Sequence, residues 1–173
     1  MKILIAYYSR KGSNYGNGGV INLAKGNTEI ASETIRKRTG GETFRIDTVK
    51  EYPADYDETT QVAQVELRRG ARPEIRGHVA DMSDYAAIFL GYPNWWGTMP
   101  MAVFTFLEAY DFAGKTMLPF CTNEGSGMGH SEGDIKKLCP KAKVLKGLAI
   151  RGTGVKGAER DIADWIAASG IKA

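Results

Sequence analysis

Cysteine and histidine are scarce in this 173-residue sequence: Cys121 and Cys139, His78 and His130 are all it holds. Two cysteines so far apart form neither a CxxC pair nor a disulfide framework, so free thiols are expected. Cys121 ends an apolar run and Cys139 precedes Pro140; neither has a base beside it to make a thiolate, and neither is expected to be catalytic. Without an HExxH motif or a Cys/His cluster, no metal centre is expected. Long apolar runs are also lacking. The stretch from Ile3 to Tyr8 is too short for a signal-peptide core, has no small-residue cleavage site after it and runs into Arg10 and Lys11. Nothing else approaches membrane-spanning length. A cytoplasmic protein without a membrane partner is the expectation. Nor does one sign of charge dominate: 23 Lys and Arg against 20 Asp and Glu leave a net charge of +3, which argues against a disordered polyelectrolyte or a nucleic-acid arm. The basic runs Arg36-Lys37-Arg38 and Arg68-Arg69 read as solvated helix ends, where cations complement the dipole.

What is present is a globular composition, 43% hydrophobic, of the size of one domain, and residues 1–173 are read as a single one. Short runs rich in Val, Ile and Phe alternate with segments of helical period, the pattern of βαβ units around a buried parallel sheet. Strands are predicted at about Lys2 to Tyr8, Glu42 to Asp47, Ala86 to Gly91, Thr116 to Cys121 and Ala142 to Ile150. Helices are predicted at about Thr28 to Thr39, Asp57 to Gly70, Pro100 to Tyr110, Ser131 to Leu138 and Ala158 to Ser169. Positions 158, 162, 165 and 166 put Ala, Ile, Trp and Ile on one face of the last helix, toward the sheet. Right-handed crossovers between five strands give a three-layer α/β sandwich. The glycine- and asparagine-rich stretch Gly12 to Lys25 reads as a long loop between the first strand and first helix, a place where function often resides. A second irregular stretch, Lys50 to Tyr56, reads as a cap on the second crossover with no catalytic role.

In such an open sheet, ligands bind beyond the carboxyl ends of the strands where the winding reverses, so the loops after strands one, three and four carry the information. After the first come Ser9 and, beyond the insertion, Gly26, Asn27, Thr28 and Glu29 at a helix start. Hydroxyls and free N–H groups there suit a phosphate, and a plain N-cap by Asn27 is the alternative. After the third comes Gly91 to Pro100, with Pro93, Asn94, Trp95, Trp96 and Gly97. Two adjacent tryptophans in a loop are hard to bury together, and a planar aromatic ligand would give one of them a stacking partner; core or dimer packing is the alternative. Trp96 is favoured as the stacker because Gly97 beside it permits close backbone approach. After the fourth comes Cys121 to His130, where Thr122, Glu124, Gly125, Ser126 and Gly127 combine hydroxyls with glycines able to present N–H donors to a heteroaromatic edge, or form a simple flexible turn.

The three loops together resemble the flavodoxin family, most closely its branch with YPxWWGxMP and PFCTxxGSG loops. Here these read Tyr92-Pro93-Asn94-Trp95-Trp96-Gly97-Thr98-Met99-Pro100 and Pro119-Phe120-Cys121-Thr122-Asn123-Glu124-Gly125-Ser126-Gly127. The resemblance runs from Ile3 to about Trp165 and implies a doubly wound five-stranded parallel sheet of order 2-1-3-4-5 with bound flavin mononucleotide (FMN). It implies that Ser9, Asn27 and Thr28 hold the phosphate, that the Pro93 to Gly97 loop flanks the isoalloxazine and that the Thr122 to Gly127 loop meets its other edge. The sequence departs from the usual phosphate loop ending in TGNT: Lys25 replaces the threonine, and Arg10 to Lys25 separate Ser9 from Gly26. Arg10 and Asn14 therefore join the candidate ligands. FMN is expected over FAD, since no second domain is seen to receive an adenosine.

Two further motifs are set aside. Gly152-Thr153-Gly154-Val155-Lys156-Gly157 matches GxGxxG, but no strand follows to bring an acid to a ribose, and it reads as a tight connection. Gly114-Lys115-Thr116 resembles the end of a P-loop, but position 109 is Ala and the triplet precedes a strand. A phosphate-receiver module is excluded because Tyr8-Ser9 and Gly91-Tyr92 stand where it needs acids. The expected function is electron transfer through the flavin, with a redox partner protein or a small-molecule electron acceptor. A pI near 8.8 sets the chain apart from the acidic carrier flavodoxins, and an NAD(P)H-dependent quinone or small-acceptor reductase is the alternative. Monomer and homodimer both remain open.

Overall fold

A computed structural model describes residues 2–172. The first apolar run forms β1 (Lys2–Tyr7), and the chain then makes an antiparallel pair, β2 (Gly12–Gly16) and β3 (Gly19–Leu23), before α1 (Asn27–Thr39). There follow β4 (Glu42–Arg45), α2 (Tyr56–Arg69), β5 (Tyr85–Pro93), α3 (Met101–Glu108), β6 (Thr116–Asn123) and α4 (Ser131–Leu138). The chain closes with β7 (Lys143–Val144), β8 (Leu148–Arg151), a 3-10 turn over Gly152–Gly157 and α5 (Glu159–Ser169). The main sheet runs β4-β1-β5-β6-β7, with β8 also paired to β6. Every pairing in it is parallel. This is the expected 2-1-3-4-5 order of a flavodoxin-like α/β fold, with helices on both faces.

The alternation of side chains along each strand divides the core into two layers. Leu4, Ala6, Ile88, Leu90, Tyr92, Met117 and Cys121 face α3 and α4. Ile3, Ile5, Ala87, Phe89, Leu118 and Phe120 face α1 and α5, where Ala31, Ile35, Ile162 and Ile166 meet them. A strand covered on both sides has to be apolar at successive positions, which is why β1 and β5 read as unbroken hydrophobic runs. The expected face of α5 is the observed one, with Trp165 set edge-on to Phe89 at 5.6 Å.

Two expectations are corrected. The stretch from Gly12 to Lys25 is not a loop but chiefly a β-hairpin, closed by Asn17 (φ 52°) and Gly18 (φ 79°). Positive φ at both central residues defines the type I′ turn, for which Asn-Gly is the preferred pair. The predicted last strand is broken: the Leu145 N–H still donates to the Met117 carbonyl at 2.9 Å, and Lys146 and Gly147 then leave the sheet between β7 and β8. Gly147 packs against Met128 and the Pro119 carbonyl without space for a side chain, and its N–H donates to Glu132 Oε1 at 2.6 Å. Smaller shifts occur at helix ends. Gly26, not Asn27, is the N-cap of α1, and Pro100 is the N-cap of α3 rather than a member of its first turn. Among the described residues no helix is long and apolar enough to cross a membrane.

Candidate functional site

The carboxyl ends of β1, β5 and β6 open into two adjoining cavities of about 340 and 380 Å³, each within the range of small-ligand sites. The first is walled by the start of α1 (Asn27, Thr28), the β5 loop (Pro93, Asn94, Trp95) and the β6 loop (Thr122, Asn123, Glu124, Ser126). Arg10, Asn14, Tyr15, Tyr56 and Gly152 complete it. All three loops singled out by the fold rule therefore converge. The second cavity shares Arg10, Asn14, Tyr56, Asn94 and Trp95 with the first and extends to Trp96 and the α2 residues Thr59, Thr60 and Ala63.

At the start of α1, Gly26 cannot cap the helix, having no side chain. The cap comes from the end of β1 instead: the N–H of Glu29 donates to Ser9 Oγ at 3.0 Å. A Cβ on Gly26 would overlap Ser9 Oγ and lie 2.8 Å from the Arg10 carbonyl oxygen, so close approach dictates the glycine. Ser9 is buried and absent from the walls of both cavities. The Thr28 hydroxyl is also engaged, 2.8 Å from that of Thr122. The N–H groups of Asn27 and Thr28 belong to the first helical turn, where there is no intrahelical acceptor, and both residues line the cavity. Helix dipole and N–H donors thus face an open anion-sized recess.

Arg10 sits where the cavities meet. Its Nε donates to the Ser13 carbonyl at 3.2 Å, and its Nη2 to the Pro53 and Ala54 carbonyls at 3.0 Å each. These bonds fasten the hairpin base to the loop before α2 and hold a fixed positive charge over the cleft. Asn14 donates to the carbonyls of Arg10 and Gly12. Tyr15 of the hairpin stacks on Tyr56 of α2, centroids 6.2 Å apart at 29°, and so bridges the mouth. Arg45 is similarly fixed, donating to Glu29, Asp47 and the Ser9 carbonyl. Burial disfavours its charge, yet the two carboxylates outweigh that and raise its pKa.

The two tryptophans part company. Trp95 packs edge-on to Tyr8 and Tyr52, each at 5.2 Å, and presents its remaining surface to both cavities. Burial pushes the hydroxyls of Tyr8 and Tyr52 well above the ordinary phenol range, so this aromatic wall is neutral. Trp96 lines only the second cavity, is 49% exposed, and donates its Nε1–H to the Thr60 carbonyl at 2.9 Å. The N–H groups of Trp95 and Thr98 each donate to the other's carbonyl, at 2.8 and 3.2 Å. Trp96 (φ 56°) and Gly97 (φ 85°) form the turn between them. Gly97 thus fits the second position of a type I′ turn, and a Cβ there would face His130. Gly97 therefore gives no ground for favouring Trp96 as a stacking residue, and Trp95 is the tryptophan that lines both cavities.

Other candidates serve the framework. Glu124 accepts from the Thr153 N–H at 2.8 Å and from its hydroxyl at 3.2 Å, joining the β6 loop to the 3-10 turn. Asn94 donates to the Gly127 carbonyl and accepts the Gly97 N–H, tying the two ring loops together. Gly125 donates to Asn123 Oδ1. Gly97, Gly125 and Gly127 line neither cavity, whereas Ser126 does. Four wall residues of the first cavity lie outside the sequence-derived set, Tyr15, Tyr56, Asn123 and Gly152, as do Thr59, Thr60 and Ala63 of the second. The Asn17-Gly18 signal would have revealed the hairpin carrying Tyr15; nothing local marks Tyr56 or Gly152.

Comparisons with known proteins agree with this fold. A solved flavoprotein candidate from Bacteroides eggerthii is 28% identical, with 99% of each chain covered and a TM-score of 0.80. One from Bacteroides uniformis is 26% identical, covering 94% of this chain and 97% of its own, with a TM-score of 0.76. A flavoprotein from Lactobacillus acidophilus, solved in complex with FMN, is 21% identical over 90% of this chain and 97% of its own; its TM-score of 0.69 shows a common fold. The comparison with curated proteins finds no match. The sequence profile of the flavodoxin family matches residues 2–169, and this chain belongs to that family.

Proposed function

We propose that the protein binds FMN in the first cavity and transfers electrons through it. One observation carries this reading: the open N-terminus of α1, the Trp95 face and the β6 loop border a single cavity whose two ends differ in chemistry. The helix end, with the Asn27 and Thr28 amides, suits a dianionic phosphate. Elsewhere its wall offers the Trp95 face and the polar groups of Asn123 and Ser126, which suit a flat heterocycle with amide-like edges. Gly152 fits the same picture: a Cβ there would collide with the Asn27 amide and stand 2.8 Å from Glu124 Oε1, closing the passage between the ends. The FMN complex of the Lactobacillus relative supports the choice of cofactor.

When bound, the flavin supplies the redox chemistry, accepting and donating one or two electrons. The chain supplies the remainder. The α1 amides hold the phosphate, Trp95 covers part of one ring face, and the Tyr15–Tyr56 pair keeps water from the mouth. Arg10 places a cation near the ring end of the cavity, favouring added negative charge there.

The protein should purify with, or take up, FMN in a one-to-one complex with flavin visible absorption. Trp95→Ala removes an aromatic pair worth about 0.5–1.5 kcal/mol beyond area burial, so FMN binding should weaken roughly 2- to 12-fold. Trp96→Ala should change it less than about twofold. Fluorescence titration of apoprotein with FMN reads both. No flavin uptake, or a larger loss at Trp96 than at Trp95, would overturn the reading.

A further inference from the structure

We infer that the second cavity is an acceptor site for a small planar conjugated carbonyl compound, of which a quinone is the type; the inference rests on the FMN reading above. Neither Asn27 nor Thr28 of the α1 start and no residue of the β6 loop borders this cavity, so a flavin placed by the α1 N-terminus and the β6 loop leaves it free. The two cavities nevertheless share the wall formed by Trp95, Asn94 and Arg10, which puts an occupant of the second beside a ring in the first.

The walls specify the occupant. Trp95, Trp96 and Tyr56 are aromatic and Ala63 adds a small apolar patch, the lining that selects a flat π-system. Arg10 and Asn14 bring polar groups to the junction side. Three of the bonds to backbone carbonyls use only Nε and Nη2 of Arg10, leaving Nη1 without a partner among the described residues, and it is suited to a carbonyl oxygen that gains negative charge. At about 380 Å³ the space lies within the range of small-molecule sites. Trp96 is one of only two described non-glycine residues with positive φ, a conformation that its Cβ disfavours. Its Nε1 bond to α2 fixes the indole as the outer wall.

The reaction balances as a two-electron reduction. Bound FMN, as its reduced anion, would supply the hydride that forms one O–H of the acceptor, and water the proton that forms the other, leaving hydroquinone, hydroxide and oxidised flavin. The ring's electrons come beforehand from a nicotinamide dinucleotide or a reduced donor protein, acting before the acceptor enters.

Ala63→Phe, which fills the cavity from α2, tests this with menadione as the probe. Calorimetric titration of the oxidised, FMN-loaded protein should show menadione binding that the variant loses by about tenfold or more, a loss of roughly 1.4 kcal/mol. After anaerobic photoreduction with EDTA as donor, reoxidation by menadione should slow at least as much. FMN affinity, and reoxidation by ferricyanide, which needs no pocket, should both stay within about twofold. Should Ala63→Phe fail to fold, Trp96→Ala removes the outer wall from an exposed position and should weaken menadione binding about threefold or more. Unaltered menadione binding and reoxidation would overturn the acceptor site while leaving the FMN reading intact. A parallel loss of FMN affinity in Ala63→Phe would assign the cavity to the ring itself and also overturn it. Failure of the unsubstituted protein to bind FMN would instead bring down the parent reading, and this inference with it.

Discussion

Replacing Gly26 by alanine should destabilise the protein by about 2–4 kcal/mol, with no contribution from backbone strain. The φ of Gly26 is −64°, open to any residue, so the cost comes from contact alone. The new Cβ would overlap Ser9 Oγ and sit 2.8 Å from the Arg10 carbonyl oxygen and 2.9 Å from its carbon. Ser9 could rotate away, but it would then release the Glu29 N–H, whose cap is worth about 1 kcal/mol. The Arg10 carbonyl is backbone and yields only by shifting the end of β1, at the roughly 1–3 kcal/mol typical of overpacking. For a domain of this length each kcal/mol moves Tm by about 2–4 °C, giving a fall of roughly 4–16 °C by calorimetry of the apoprotein. Ser9→Ala alone should cost only the cap, about 1 kcal/mol. The double variant should be less destabilised than the sum, because the cap is lost once and the Oγ clash is gone; contacting pairs couple by about 0.5–3 kcal/mol. Displacing the α1 start should also reduce the stabilisation conferred by FMN, by about 1.4 kcal/mol for each tenfold loss of affinity. A Gly26→Ala protein melting within about 1 °C of the parent, where even a lost cap should be visible, would refute the packing of β1 against the helix start. Strict additivity with Ser9→Ala would refute their direct contact.

Two more outcomes follow from buried titratable groups. Burial pushes the Cys121 thiol up to about 12 and the Cys139 thiol up to about 11, so neither should react with a disulfide reagent at pH 8 in the folded protein, and serine at both positions should preserve flavin photoreduction; rapid native-state labelling or lost reduction with retained flavin would contradict this. Burial raises the Glu66 carboxyl above its usual range, only partly offset by the Tyr52 hydroxyl bond at 2.7 Å. A raised carboxyl pKa favours folding in the protonated state, so that contribution is complete below the unfolded value of about 4.3 and is lost as pH rises through the folded value. Glu66→Gln should therefore match the parent in Tm near pH 4 and exceed it at pH 7, and the opposite trend in a melting series would refute the assignment.

The strands, the helices and the three loops at the sheet's carboxyl edge were legible in the sequence from local patterns, and the order of the sheet from the resemblance to the flavodoxin family. Buried parallel strands must be continuously apolar, as at β1 and β5, and helix faces repeat with the turn, as at Ile162 and Ile166 of α5. The loops then fall at one edge by topology alone. The hairpin was also written locally, in Asn17-Gly18, but glycine and asparagine around it resembled an irregular loop, and an exposed two-stranded element has no apolar alternation strong enough to declare itself. The assignments inside the loops depended on distant partners. Ser9 became a helix cap because Gly26 lets β1 approach α1, and Thr28 and Thr122, 94 positions apart, satisfied one another. Glu124 turned toward Thr153. Trp95 and Trp96 are equivalent in sequence, and only the positive-φ turn and the Thr60 carbonyl on α2 separated them. Periodicity records which face of an element is buried; which hydroxyl, carboxylate or indole remains free for a ligand is decided by the neighbours that the fold brings within hydrogen-bonding reach.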